Sequence, residues 1–147
     1  MIEFDTRVKQ AIYLHFAATT EAPTAGQVSL TLGVTPAEVK DAYGRLFGSR
    51  VLVLDADGET IRMAPPFSAV ATQHRVRVAG RDYVANCAWD AFGIPAALRQ
   101  GGTVTSRCGQ SGETVTFDVG LDTPPASDWI FHCAVPAARW WQDIVHT

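Results

Sequence analysis

The stretch TPAEVKDAYGRLFGSRVLVLDADGETIRM, residues 35–63, packs a helix start, a helix and two strands into immediate succession. Thr35-Pro36-Ala37-Glu38 supplies a threonine cap, a proline at the first helical position and a glutamate at the third, whose carboxylate reaches back to the cap. Val39, Ala42, Tyr43 and Leu46 then share one helical face, so a helix is expected to about Phe47. Val51-Leu52-Val53-Leu54 and Thr60-Ile61-Arg62-Met63 read as strands, joined by the tight turn Asp55-Ala56-Asp57-Gly58.

Toward the N-terminus, Phe4, Val8 and Ile12 recur at i, i+4 and i+8, with Glu3 and Asp5 where a helix start tolerates negative charge. A first helix is expected to about Ala18. Thr24 and Gln27 have the spacing of a capping box, opening a short helix to Leu32 that Gly33 ends. Three helices and a hairpin predict a winged helix-turn-helix-like domain over residues 1–63. That domain carries six basic and eight acidic residues, a net −2, and its third helix sets Glu38 and Asp41 beside Lys40 and Arg45. A DNA reader shows the opposite sign, so packing or scaffolding is the better reading.

Toward the C-terminus, Ala64-Pro65-Pro66-Phe67-Ser68 excludes helix and marks a joint, with a second domain over 64–147. Beyond it, Arg75-Val76-Arg77-Val78 and Val115-Thr116-Phe117-Asp118-Val119 alternate as half-buried strands. Thr103 to Arg107 pairs with Glu113 to Val119 across Gly109-Gln110-Ser111-Gly112. Asn86 to Leu98 reads as a helix capped by Asn86, with Pro95 as a bend or stop. Trp129 to Val135 is a further strand candidate, and Pro136 opens a helix pairing Trp140 with Ile144 and Trp141 with Val145. No Gly or Asn follows to cap that helix, which reads as an unnatural end. The fold class expected is α+β: the winged-helix-like three-helix domain with its hairpin, then a mixed α/β core with an antiparallel sheet.

Composition narrows the function. With 47% hydrophobic and 18% charged residues the 147-residue chain folds, and no apolar run approaches the roughly 18 residues a membrane span needs. The N-terminus lacks the basic start and apolar core of a signal peptide, so the cytoplasm is expected. A net charge of −3 gives no basic field for nucleic acid. Cys87, Cys108 and Cys133 are odd in number and read as free thiols in a reducing compartment. His132 and Cys133 are adjacent in a candidate strand and face opposite ways. His15, His74 and His146 show no ligand spacing, and no C-x-x-C, P-loop or G-x-G-x-x-G is present.

The window most informative about chemistry is Tyr83-Val84-Ala85-Asn86-Cys87-Ala88-Trp89-Asp90-Ala91-Phe92-Gly93-Ile94-Pro95. On a helix Cys87 and Asp90 share a face, and a cysteine in the first turn meets unpaired N–H groups that favour its thiolate. A carboxyl beside a thiolate favours its protonated form. The pair is therefore a nucleophile or soft-metal ligand next to a general acid. A small buried thiol beside an ordinary cap neighbour is the competing reading of the same spacing.

These residues resemble the active-site segment of the alkylmercury lyases, also called organomercurial lyases. The likeness includes the small tract before Cys87, the Cys-x-x-Asp pair, the following Pro95 and Ala97-Leu98, and a second cysteine in Ser106-Arg107-Cys108-Gly109. Arg62-Met63-Ala64-Pro65-Pro66-Phe67-Ser68 resembles the family's joint between a winged-helix-like domain and its catalytic core. The resemblance implies protonolysis of a carbon–mercury bond to a hydrocarbon and Hg(II), with Cys87 as the first thiolate and Asp90 as proton donor. It implies a small organomercurial substrate, no required cofactor and an external small thiol as acceptor of Hg(II). Cys108 is similar to a supporting cysteine of the family. The family's second catalytic thiol aligns just beyond Thr147; Cys133, the one thiol in the last third, lies earlier and is, with Cys108, the remaining candidate mercury ligand. A non-catalytic thiol protein that binds soft metal or organometal, and a winged-helix regulator, are the alternative functions.

Overall fold

In the computed structural model, which describes residues 2–122 and 125–145, the first helix, α1, spans Glu3–Thr19. Val8, Ile12 and Phe16 form its fully buried stripe. Helices α2 (Ala25–Leu32) and α3 (Pro36–Gly48) each open with a complete capping box, Thr24 with Gln27 and Thr35 with Glu38. The Arg45 guanidinium on α3 donates to the almost fully buried Asp5 carboxylate on α1 (Nη2 to Oδ1, 2.8 Å) and clips the two helices together.

The first hairpin strand, β1 at Val53–Leu54, is shorter than expected, while β2 keeps its length one residue further on, at Ile61–Ala64. Val51 and Leu52 are not strand, because their N–H groups both turn back to the Leu46 carbonyl and finish the end of α3. In the loop between the strands, the Asp57 carboxylate accepts from the N–H groups of Glu59 and Thr60 and from the Thr60 hydroxyl. Those bonds hold the carboxyl down at about 2.

The proline joint is itself a turn. Pro65 and Pro66, linked by a cis peptide, connect β2 to a third antiparallel strand, β3 (Phe67–Ser68), with Ala64 opposite Phe67. Sequence periodicity has no hold on a two-residue strand.

A four-stranded antiparallel sheet follows, in the order β5-β4-β6-β7, from β4 (Arg75–Val78), β5 (Arg81–Val84), β6 (Gly102–Arg107) and β7 (Thr114–Val119). The β6–β7 register matches the expected hairpin, with Thr103 opposite Asp118 and Arg107 opposite Thr114. Strand β5 was not foreseen; its signal is Ala79-Gly80, both left-handed (φ +49° and +78°), the backbone of a tight two-residue hairpin turn. Helix α4 (Ala88–Leu98) lies between β5 and β6 in the chain and packs on the face that buries Val76, Val78 and Val104. Pro95 does not stop it: the helix runs three residues further, to Leu98. Gly102 lets β6 approach β4, since a Cβ there would lie 2.5 Å from the Arg77 carbonyl oxygen.

The last part of the chain departs most from expectation. Trp129 to Val135 forms no strand; it has no ladder partner among the described residues and is exposed, Ile130 at 87%. Among the described residues it has no neighbouring strand to pair with, and an apolar run alone does not make a sheet. Beyond it, the expected α-helix is a single 3-10 stretch, Ala137–Gln142, which Asp143 leaves at φ −153°, so Ile144 and Val145 lie outside the helical turn. The ends of that reading, His146 and Thr147, lie outside the described residues.

One contiguous core runs from α1 to β6, and Phe67 stands at its middle. Its ring stacks on Phe16 (centroids 5.3 Å apart, planes at 10°) and meets Tyr83 at 5.7 Å and Tyr13 edge-on at 6.2 Å. Two tyrosine hydroxyls reinforce the seam, Tyr13 donating to Pro65 O and Tyr83 to Ala17 O. Among the described residues no helix is long and apolar enough to cross a membrane.

Candidate active site

The segment entering α4 is held by short bonds on both sides. Ala85 is fully buried, bridges to Phe67, donates its N–H to His74 O (3.0 Å) and accepts from the Thr72 hydroxyl (2.6 Å). With Ala85 clamped, the next residues have little freedom. Cys87, not Asn86, is the helix cap: its backbone is extended (φ −145°, ψ 178°) and its carbonyl accepts the Ala91 N–H. The expected cap fails because the Asn86 amide is engaged elsewhere, its Nδ2 donating to Asp90 Oδ2 (2.9 Å) and Phe67 O (3.3 Å). On the opposite side Gly93 rests on the proline turn; a Cβ there would sit 3.2 Å from Pro66 Cβ.

The structure brings Cys87 and Asp90 together at the start of α4, both half-buried, with thiol and carboxyl in hydrogen-bonding reach of each other. The electrostatics differ from the expected low-pKa thiol. Burial pushes the Cys87 thiol up and the neighbouring carboxyl adds to this; the N–H groups of Asp90 and Trp89 pull the other way and lose. Those N–H groups face the sulfur without closing a cap hydrogen bond. Burial also raises the Asp90 carboxyl, against the lowering hydrogen bonds from Asn86 and Cys87. Each group of the pair therefore keeps a proton to higher pH than the free side chain would. Tyr13, which sequence reasoning did not single out, faces Asp90 from α1, and burial together with that carboxylate lifts its phenol to about 12.

Cys108 behaves oppositely. It sits in the turn between β6 and β7, half-exposed, where the Ser111 N–H points at its sulfur (3.5 Å). Hydrogen bonds from Ser111 and the Gln110 N–H hold its thiol below the ordinary range. At neutral pH iodoacetamide is expected to alkylate Cys108 several times faster than Cys87, read by peptide mass spectrometry; equal rates would contradict this ordering. Cys133 is exposed, in the irregular segment after Trp129.

A cavity of about 900 Å³ opens beside the pair. Ala88, Trp89 and Phe92 of α4 form one wall, Cys108 and Phe117 another, and the segment from Trp129 to His132 a third. Trp89 meets Phe131 (5.7 Å) and Phe92 meets Phe117 (5.4 Å) across it, so its walls are largely aromatic. Among the described residues neither Cys87 nor Cys133 lines it, and no group of three His, Cys, Asp or Glu is placed to hold a metal ion.

The family profile described as alkylmercury lyase matches residues 67–147, more than half of the chain. The chain belongs to the alkylmercury lyase family. The matched segment begins at Phe67 and contains Asn86, Cys87, Asp90 and all of the cavity's walls. Among solved structures, this alkylmercury lyase family member is similar to the mercury-bound form of MerB2, with a TM-score of 0.70 and 21% identity over 86% of this chain. At that identity the likeness is one of fold, and this chain spans 60% of the length of that one. No curated protein matches the sequence.

Proposed function

We propose that the chain is an organomercurial lyase, cleaving a carbon–mercury bond to a hydrocarbon and Hg(II). The observation that carries this reading is the Cys87–Asp90 pair at the buried start of α4, within the segment that matches the family. Mercury is a very soft acid that prefers thiolate sulfur to oxygen or nitrogen. Cys87 captures the organomercurial cation as its thiol proton passes to the Asp90 carboxylate, so the raised thiol is no obstacle: the carboxylate in contact with it is the base. A second thiolate on mercury raises electron density on the bound carbon. The carbon–mercury electron pair then takes the proton from Asp90, the hydrocarbon leaves, and Hg(II) remains on sulfur until external thiols remove it. For the second sulfur the chain offers Cys133 and Cys108, and the medium offers the small thiol. No resident cofactor enters the scheme. A cytoplasmic, reducing setting suits three free thiols.

We read residues 1–63 as a winged-helix-like module that serves in packing rather than on DNA, and residues 64–147 as the catalytic core. The net charge of −2 and the hydrogen bond from Tyr13 to Pro65 O support that assignment. The test is incubation with phenylmercury acetate and excess small thiol, with benzene measured by gas chromatography. Benzene release that Cys87→Ser abolishes is expected. Release undiminished in Cys87→Ser, or tight mercury retention by wild type with no hydrocarbon, would overturn the lyase reading, the second result favouring a binding protein.

A further inference from the structure

The Asn86 side chain is oriented at a visible cost. Its Nδ2 serves two acceptors, Asp90 Oδ2 at 2.9 Å and Phe67 O at 3.3 Å, while its own Oδ1 is buried with no hydrogen-bond partner among the described residues. Buried amide oxygens are almost always satisfied, so an orphaned one needs a reason. Turning the amide over would only set its oxygen against the Phe67 carbonyl. Phe67 is among the most constrained residues of the core, 2% exposed and in contact with three aromatic rings, so its carbonyl is a fixed anchor. The fold thus aims an N–H at one chosen oxygen of Asp90 and leaves the amide's acceptor unused. Helix capping, the ordinary duty of an asparagine here, is not what it does, since Cys87 occupies the cap.

We propose that Asn86 is the positioning residue for the acid: by holding Asp90 Oδ2 as an acceptor, it places the transferable proton on Oδ1. A carbonyl oxygen accepts better than a hydroxyl oxygen, so the Asn86 N–H at Oδ2 favours the tautomer with C=O at Oδ2 and the proton on Oδ1. In the transfer step the Oδ1–H bond breaks and a C–H bond forms from the carbon–mercury electron pair. Asp90 is left as a carboxylate whose Oδ2 keeps its Asn86 bond, and mercury stays on sulfur as Hg(II). The other groups facing Asp90 are the Cys87 thiol at the same helix start and the Tyr13 phenol from α1. Tyr13 is committed to Pro65 O (2.9 Å), which leaves Asn86 as the neutral side chain that donates to the carboxyl.

The inference rests on the lyase reading for its chemistry, but its test has a readout independent of turnover. The full chain is prepared with 13C-carboxyl aspartate, and the Asp90 band is isolated by subtracting the infrared spectrum of Asp90→Asn. In Asn86→Leu the Asp90 carboxyl stretch is expected to move to higher frequency, as a carbonyl does on losing a donor, and kcat on phenylmercury acetate to fall about ten- to hundredfold, as loss of orientation does. KM should change less than about threefold, since capture belongs to Cys87. Asn86→Ala removes the same donor without demanding room, and serves where the leucine does not fold. An Asp90 band unchanged in a folded variant, or a loss carried by KM with kcat intact, would overturn the proposal. Absence of benzene release from wild type would sink the lyase reading alone, because the band shift is read without substrate.

Discussion

Asp90→Asn is expected to lower the rate of hydrocarbon release by about 10²- to 10⁴-fold, the range in which a positioned general acid contributes. The amide keeps the size and the helix start but carries no acidic proton, and it cannot receive the one Cys87 gives up. Mercury capture should survive, so stoichiometric binding of phenylmercury by the variant separates the two steps. The pH dependence has a definite sign. Both groups of the pair are raised, chiefly by burial, so each holds its proton to higher pH than the free side chain would. A reaction that consumes this proton is fast while the pair retains it and slows as pH rises through the pair's upper apparent pKa. Release should therefore decline on the alkaline side in wild type. A rate that climbs steadily with pH, or an Asp90→Asn variant within a few-fold of wild type, would show that the proton comes from elsewhere.

Phe67→Ala is expected to be the most damaging core substitution, destabilising the chain by about 3–5 kcal/mol. Phe67 is 2% exposed and joins rings from α1 and β5, so its removal opens a void where the N-terminal helices meet the sheet. Leu30→Ala is the control, since Leu30 is 86% exposed and its loss should stay within about 0.5 kcal/mol. Urea denaturation of the two variants checks the contrast; comparable midpoints would remove Phe67 from its central place. Because the Phe67 carbonyl also anchors Asn86, folded Phe67→Ala should lose activity as well as stability.

The readable parts of the chain were those whose signals are local. Capping boxes at Thr24 and Thr35 involve residues three apart, and the structure shows both complete. The β6–β7 hairpin follows from alternation flanking a glycine turn. The Cys87 and Asp90 spacing put two side chains on one face of a helix start, which is where they are. Local signals misled where a partner was required. Trp129 to Val135 is a mostly apolar run that reads as a strand yet has no ladder among the described residues.

The sequence by itself determined the first four helices, the β6–β7 hairpin, the nearness of Cys87 and Asp90 and the family, because each rests on residue types at short, fixed spacings. Only the tertiary structure decided the protonation tendencies and the orientation of the pair. A helix N-terminus favours a thiolate, but burial by distant parts of the chain outweighs it at Cys87, and burial is not written in local spacing. The same holds for Asn86, whose role depends on a Phe67 carbonyl 19 residues away, and for Tyr13, brought to Asp90 by the packing of α1 on the proline turn.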